Sequence, residues 1–515
     1  MEKKLSRRHF LRSAALAAAG AAAAACAPKT VIVEKEKVVT QVVKETVKET
    51  VVVEGEAQVV EKEVTKVIEV EKVITATPPP TEPTKAIIFV GFGTGTAANQ
   101  IEVHEAIAEE YNAQSDGMIT AEFLTVPWEE RQSKFFTMLA ADMPPDICMP
   151  IGVGGVTEGF DAWADISPYI DADKYDMSVF FGTTIGLHTY PDKGVLGLPL
   201  GVYPMVVFYN EDLFDAAGVD YPPHKVGDPY PDGDDWTYAK MVEIAKQLTL
   251  DKDGNNADSP AFNWEETMQW GWNGWDWNTF KQWPEKWGGN NTGVSEDYKT
   301  ALMNSEPWVQ AMEFNKDCWW TWHIRATGEQ AGAFYDVAGE PLGSGMVGMW
   351  ENHSWMAYAF ESWTEAFNWD LGAVPYVEGF DPCAPIHADT FTMVQAAHHK
   401  DQAWEVMKWM FEPDILDRLC ENYGAIPAHK DLAASWVGKM AEKFPNVDFE
   451  VFLDAIPYLD DPQHEKWIPE YARMNDAIDT TEGLVSSGEN LNVQEVMDNL
   501  QAEVQAMLDE YWASQ

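Results

Sequence analysis

Basic residues are scarce in this chain: 35 Lys and Arg stand against 84 Asp and Glu in 515 residues, a formal charge of −49. Such a surface repels phosphate backbones and anionic lipid, which excludes nucleic acid as a partner and disfavours an anionic small ligand. Cysteine is also sparse. None of Cys148, Cys318, Cys383 and Cys420 forms a Cys-x-x-Cys pair or a metal-ligand spacing, so no metal site is expected. Disulfides and buried free thiols both remain open for these four. Cofactor fingerprints are missing too: the loop Gly91–Thr96 lacks the Lys of a P-loop and the third Gly of a dinucleotide motif, and no cofactor is expected. Finally, the run from Ser13 to Ala25 is too short and too weakly apolar to span a bilayer.

What is present begins with an address. Met1 to Cys26 carries Lys3, Lys4, Arg7 and Arg8, an Ala-rich run, and Ala23-Ala24-Ala25-Cys26. The Arg7-Arg8 pair reads as a twin-arginine export signal, and the small residues before Cys26 resemble a lipobox with Ala23 in the usual Leu position. Residues 1–26 are therefore expected to direct export, with lipidation of Cys26 anchoring the protein to the outer face of the cytoplasmic membrane. Residues 27–84 read as a tether. Thr30 to Thr75 is almost wholly Val, Glu, Lys and Thr, and Thr77 to Pro83 forms a stiff Pro-rich segment. Val39, Val43, Val47 and Val51 permit a helical rod, but Val and Thr are mediocre helix formers, so a solvated low-complexity spacer is favoured.

The stretch Gly194–Tyr221 organises the rest. Gly-Leu-Pro-Leu-Gly from Gly197 to Gly201 reads as a connector, because Pro199 lacks an amide hydrogen and glycine weakens strands. A short apolar strand, Met205 to Tyr209, follows, then a helix opened by Asn210, Glu211 and Asp212 and closed by Gly218. Elsewhere short strands alternate with helices: Ala86–Val90, Met118–Val126 and the turn into Cys148-Met149, with helices over about 99–112 and 130–141 between them. This order implies βαβ units on a mostly parallel sheet, with ligand sites beyond the strands' carboxyl ends, near Phe92–Thr96 and Pro150–Gly155.

Gly194, Gly197 and Pro199, then Tyr209-Asn210, then Leu213-Phe214 and Ala217-Gly218 resemble the G-x-x-G-x-P, Y-N and L-F-x-x-A-G series of carbohydrate-type extracellular solute-binding proteins of ABC importers. Trp163–Ile170, Gly345–Trp355, Lys400–Phe411 and Tyr423–Pro427 resemble further motifs of that family, in its order. The resemblance implies a periplasmic-binding-protein-like α/β fold: two α/β lobes joined by a multi-crossing hinge. On that reading 85–197 and 385–422 form lobe 1, and 198–384 and 423–515 form lobe 2. It implies a neutral sugar or oligosaccharide as ligand and the transmembrane subunits of an ABC permease as partner. By the same transfer Phe92, Thr94, Tyr203, Asn352 and Trp355 fall at ligand-contacting positions, with His353 replacing the usual Gly; Trp350, in the same Trp cluster as Trp355, is expected in the site with them.

Tryptophan is abundant, 23 in all, and seven lie between Trp264 and Trp287 among Gly and Asn. A loop-like run of that kind is not expected to bury so many rings, and flat aromatics match the C–H face of sugar rings. Trp272 and Trp275 are therefore expected in the ligand site. The alternative is an exported glycoside hydrolase, which would also use Trp platforms and would need two paired carboxylates, drawn from Glu265, Glu266, Asp276 and Glu351. The acidic loop Asp251–Asp258 lacks the twelfth-position Glu of a calcium loop and reads as an Asp/Asn/Gly turn.

Overall fold

The computed structural model describes the backbone of 33–35, 39–53, 56–70, 73–75 and 155, and residues 84–115, 119–152, 156–274, 283–460 and 467–515 in full. Cys26, Trp275, Asp276, Trp277 and the Pro-rich segment Thr77–Pro83 lie outside the described residues. The chain divides into two compact units, 1–82 and 83–515. In the first, Val39–Val53 pairs antiparallel with Glu56–Val70 in an unbroken register, Val39 opposite Val70 and Val53 opposite Glu56. This corrects the helical and unstructured readings of the tether alike. β-Branched Val and Thr suit an extended, pleated backbone, and their abundance outweighs the four-residue recurrence of Val.

In the second unit, Thr84–Val90 runs parallel to both Ile119–Thr125 and Ile147–Ile151. The helices Ala98–Gln114 and Arg131–Ala140 lie between these strands in the chain. The central feature is one 13-residue strand, Leu198–Asn210. Its first half, Leu198–Pro204, pairs with Ile386–Phe391 of the first-lobe sheet. Its second half pairs with Met349–His353 and with Trp369–Gly372. The strand thus belongs to two lobes, and its partners change between Pro204 and Met205, several residues beyond the boundary at 197/198. It ends where Asn210 accepts a hydrogen bond from Leu213 N at 3.2 Å and opens the helix Glu211–Ala217.

Pro199 and Gly201 therefore lie within an interior strand, contrary to their reading as a connector. A register shift between them accommodates the missing amide hydrogen. Gly201 has a further reason: a Cβ there would stand 2.5 Å from Ile426 O, because Ile426–Pro427, another crossing of the chain, pairs directly against it. The remaining crossing enters at Pro385, whose carbonyl accepts from Met205 N at 2.8 Å.

Side chains of the crossing strand alternate between two second-lobe cores. Met205, Val207 and Tyr209 join Trp236, Trp272 and Trp283 on one face; Val206 and Phe208 join Trp350, Trp363 and Trp369 on the other. The first lobe has its own pair of cores, one around Ile88, Met149, Phe391 and Trp404, the other around Phe89, Phe92, Phe135 and Trp163. The last two helices, Tyr471–Ser487 and Val493–Ser514, share a further cluster with Glu306–Trp320. Asn492 caps the final helix by accepting from Glu495 N at 3.2 Å. Cys148, Cys318, Cys383 and Cys420 are all free thiols.

Candidate binding cleft

The first and third strands of lobe 1 end side by side, and the loops beyond them touch. Gly152 N donates to Phe92 O at 2.9 Å. A Cβ on Gly152 would stand 2.9 Å from Gly93 Cα and 3.0 Å from Phe92 O, a closeness that only glycine allows. Gln100, buried on the following helix, fixes the first loop. Its Oε1 accepts from Gly95 N, while its Nε2 donates to Thr94 Oγ1 and to Asn422 O, all at 2.9 Å. One of the loop amides that a phosphate would require is thereby taken.

Beyond these loops lies a cleft of about 470 Å³ lined by Thr94, Thr96, Trp128, Trp355, Tyr358 and Asp389, among others. Among the described residues no Lys, Arg or His lines it. Trp128 follows the second strand and is pinned by Arg131, whose guanidinium lies 3.5 Å above its ring and also reaches Glu158 at 2.8 Å. Trp355 and Tyr358 come from the opposite lobe, on the short helical turn Ser354–Tyr358 after the strand Val347–His353. Trp355 is half-buried and packs against cores of both lobes. Its ring meets His353 at 4.2 Å, His387 at 5.1 Å and Tyr203 at 5.7 Å between centroids.

Asp389 lies at the base of this cluster. Tyr203 donates its hydroxyl to Asp389 Oδ2 at 3.0 Å. Burial pushes the Asp389 carboxyl up to about 8, with the Tyr203 bond pulling the other way. Burial, reinforced by the neighbouring Asp389 charge, raises the Tyr203 phenol well above its usual range, so that it stays a donor.

Of the residues expected at the site, Thr94 and Trp355 line the cleft. Tyr203 is fully buried beneath it and acts on it through Asp389. Phe92 has its backbone in the right loop but turns its ring into the core, 5.3 Å from Phe135 and 6.0 Å from Trp163. Trp350 is buried against Trp363, and Asn352 is buried with its Oδ1 taken by His353 N at 2.7 Å.

Trp272 is a core residue, edge-on to Trp283 at 5.5 Å. The same holds for Trp270, Trp283 and Trp287, all buried, while Trp264 stacks on His323 at 5.1 Å. The described part of this Trp-rich stretch is thus a packed interior. The rings pack both edge-to-face, as Trp272 on Trp283, and stacked, as Trp283 on Trp287, and enclose a buried ion pair: Lys286 Nζ lies 2.9 Å from Glu351 Oε2 and 4.7 Å above Trp283. Tyr238 also donates to Glu351 Oε2, at 3.1 Å.

Of the carboxylates considered for hydrolysis, Glu351 is held in this interior, Glu266 pairs with Lys252 at 2.7 Å, and Glu265 is exposed outside the cleft. The acidic loop is a turn. Asp251 Oδ1 accepts from Asp253 N and Asn255 N, both at 2.9 Å, and Oδ2 from Asn263 N at 3.0 Å. Among the described residues no cluster suited to a metal is found.

Sequence reasoning missed Trp128, Tyr358, Gln100 and Asp389. Trp128 was within reach, because it stands just past the carboxyl end of the second parallel strand, where ligand sites in such sheets belong. Asp389 had no local signal, since its place depends on pairing with a strand nearly 190 residues earlier.

Two α/β lobes sharing a strand, with a cleft between them, define the architecture of a two-lobed binding protein. The chain belongs to the bacterial extracellular solute-binding protein family, whose model matches residues 106–446. It is 22% identical over 363 residues to a binding protein of Brucella abortus (strain 2308), covering 68% of this chain and 78% of that one. Its fold is similar to that of an ABC substrate-binding protein of Listeria monocytogenes solved with cycloalternan, with a TM-score of 0.66 at 17% identity over 83% of this chain and 100% of the other. It is also similar to a solute-binding protein of an ABC transporter from Thermotoga lettingae bound with α-D-tagatose, with a TM-score of 0.64 at 16% identity over 82% and 100%.

Proposed function

We propose that this protein is the membrane-tethered substrate-binding component of an ABC importer, capturing a neutral sugar or oligosaccharide between its lobes and delivering it to the permease. One observation carries this reading: Trp128 of one lobe and Trp355 and Tyr358 of the other line a single cleft that has hydroxyl and carboxyl groups but, among the described residues, no cationic side chain. Aromatic faces match the apolar faces of sugar rings, and Thr94, Thr96 and Asp389 offer partners for hydroxyls. A solute touching both lobes favours the closed form, which is what a permease must distinguish from the empty one. The ligands bound by the structural neighbours named above support the same class.

Export by the twin-arginine signal, lipidation of Cys26 and reach through the tether belong to this proposal. So does the absence of catalysis: Asp389 is the one carboxyl among the described lining residues, whereas glycoside hydrolysis ordinarily uses two. The test is calorimetry and thermal shift of the purified protein against glucose, maltose, maltotriose, mannotriose and tagatose, followed by assay for new reducing ends. Binding without turnover is the expected result. New reducing ends would establish hydrolysis instead, and a panel with no binding would reject the carbohydrate reading.

A further inference from the structure

A carboxyl withdrawn from water raises the free energy of the fold unless a cation or several donors compensate it. Asp389 is only 4% exposed, and among the described residues no Lys or Arg pairs with it. Its sole protein hydrogen bond there comes from Tyr203, to Oδ2. The other titratable group set against it, Tyr423, is kept protonated by burial and supplies no positive charge. Oδ1 lies beside Gly152, 3.4 Å from where a side chain would begin, and both residues line the cleft. The bareness of Gly152 keeps that oxygen accessible. The fold thus holds a poorly compensated acid in the wall of its binding cleft, joined to Trp355 through Tyr203, which bonds the acid and packs 5.7 Å from the indole. Strained or under-satisfied groups of this kind concentrate where a ligand completes them.

We propose that Asp389 is the specificity-determining residue of the cleft, its free Oδ1 accepting a hydroxyl of the sugar ring seated against Trp355. This rests on the carbohydrate reading above and sharpens it. The favoured ligand presents an unsubstituted hydroxyl at the cleft wall, and analogues in which that hydroxyl is methylated or absent are rejected, since they leave the acid without its donor. Tyr203 serves as the positioning residue, fixing Oδ2 so that Oδ1 faces outward.

The test compares Asp389→Asn with the wild-type full chain. Calorimetry with whichever panel sugar the wild type binds is expected to show at least a ten-fold loss of affinity in the variant. Mono-O-methyl and deoxy analogues of that sugar should include one that the wild type binds at least ten-fold more weakly and that the variant no longer separates from the parent. In the same experiment the melting temperature of ligand-free Asp389→Asn at pH 8 to 9 is expected to match or exceed that of the wild type, because a neutral amide replaces a desolvated acid. A merely structural aspartate would give a lower melting temperature, and that result overturns the proposal, as does full affinity in the variant. A panel that gives no binding even to the wild type defeats the carbohydrate reading itself. Binding that survives the substitution defeats only the role given to Asp389.

Discussion

Two stretches of this chain are alike in sequence and unlike in structure. Trp264–Trp287 and Gly345–Trp355 both set indoles among Gly, Asn and acidic residues. The described part of the first forms an interior around the Lys286–Glu351 pair, whereas the second carries Trp355 into the cleft. What separates them is position along a strand. Trp270 and Trp272 lie in the buried final four residues of the inner strand Thr267–Asn273, while Trp355 lies two residues past the end of Val347–His353. Trp350 and Asn352, inside that second strand, share the fate of the first stretch. The rings that line the cleft, Trp128, Trp355 and Tyr358, all lie beyond strand ends, and indole-rich composition does not substitute for that placement.

The comparison breaks most sharply if a ring of the first stretch proves dispensable to the fold. Trp272→Ala removes a fully buried indole and is expected to cost about 3–5 kcal/mol, measured as a fall in denaturation midpoint. A variant that keeps wild-type stability but loses ligand would return Trp272 to the binding surface. Next in size, Lys286→Met leaves Glu351 buried without its partner and should cost about 3 kcal/mol or more; adding Glu351→Leu should restore much of that loss.

Trp355→Ala tests the other half of the contrast. Affinity for the bound sugar should drop ten-fold or more, about 1.4 kcal/mol, with a smaller loss of stability than Trp272→Ala because the ring is only half-buried. Unchanged affinity in calorimetry would reject its role.

The smallest effect concerns the turn that leads into the first stretch. Burial works to raise the Asp251 carboxyl, but the Asn255 side chain and the amides of Asn255, Asn263 and Asp253 outweigh it and hold it down to about 2. Since the unfolded value is about 3.9, the carboxylate stabilises the fold above that pH and its contribution disappears as pH falls through about 2. Asp251→Asn should therefore trail the wild type at neutral pH and converge with it in acid. Parallel stability curves over that range would remove Asp251 as the anchor of the turn.

Much of the scaffold was legible before the structure. The strand–cap–helix order at Met205–Gly218 survives intact, as do the alternating units of lobe 1 and the cap at Asn492. Local chemistry dictates these features, and local chemistry is what a sequence displays. The site was legible only in part. Thr94 and Trp355 could be placed because each lies in the turn or loop that follows a strand, but the ring of Phe92, two residues earlier in the same loop as Thr94, folds inward onto Phe135. Alternation offered no guide in Val347–His353, where every side chain is buried. Asp389 becomes visible only when two distant crossings are paired. The tether shows the opposite error, a weak four-residue recurrence given weight against the plain preference of Val for extended backbone.

The packing of indoles in the second lobe has a practical consequence for spectroscopy. Most of the light emitted by a protein with 23 tryptophans will come from rings sealed in its interior, among them Trp236, Trp272, Trp283, Trp308 and Trp363. Trp128 and Trp355 contribute a small share of that signal. Occupancy of the cleft should therefore shift the total emission only slightly, and a titration followed by whole-protein fluorescence would understate an interaction that heat measurements register in full.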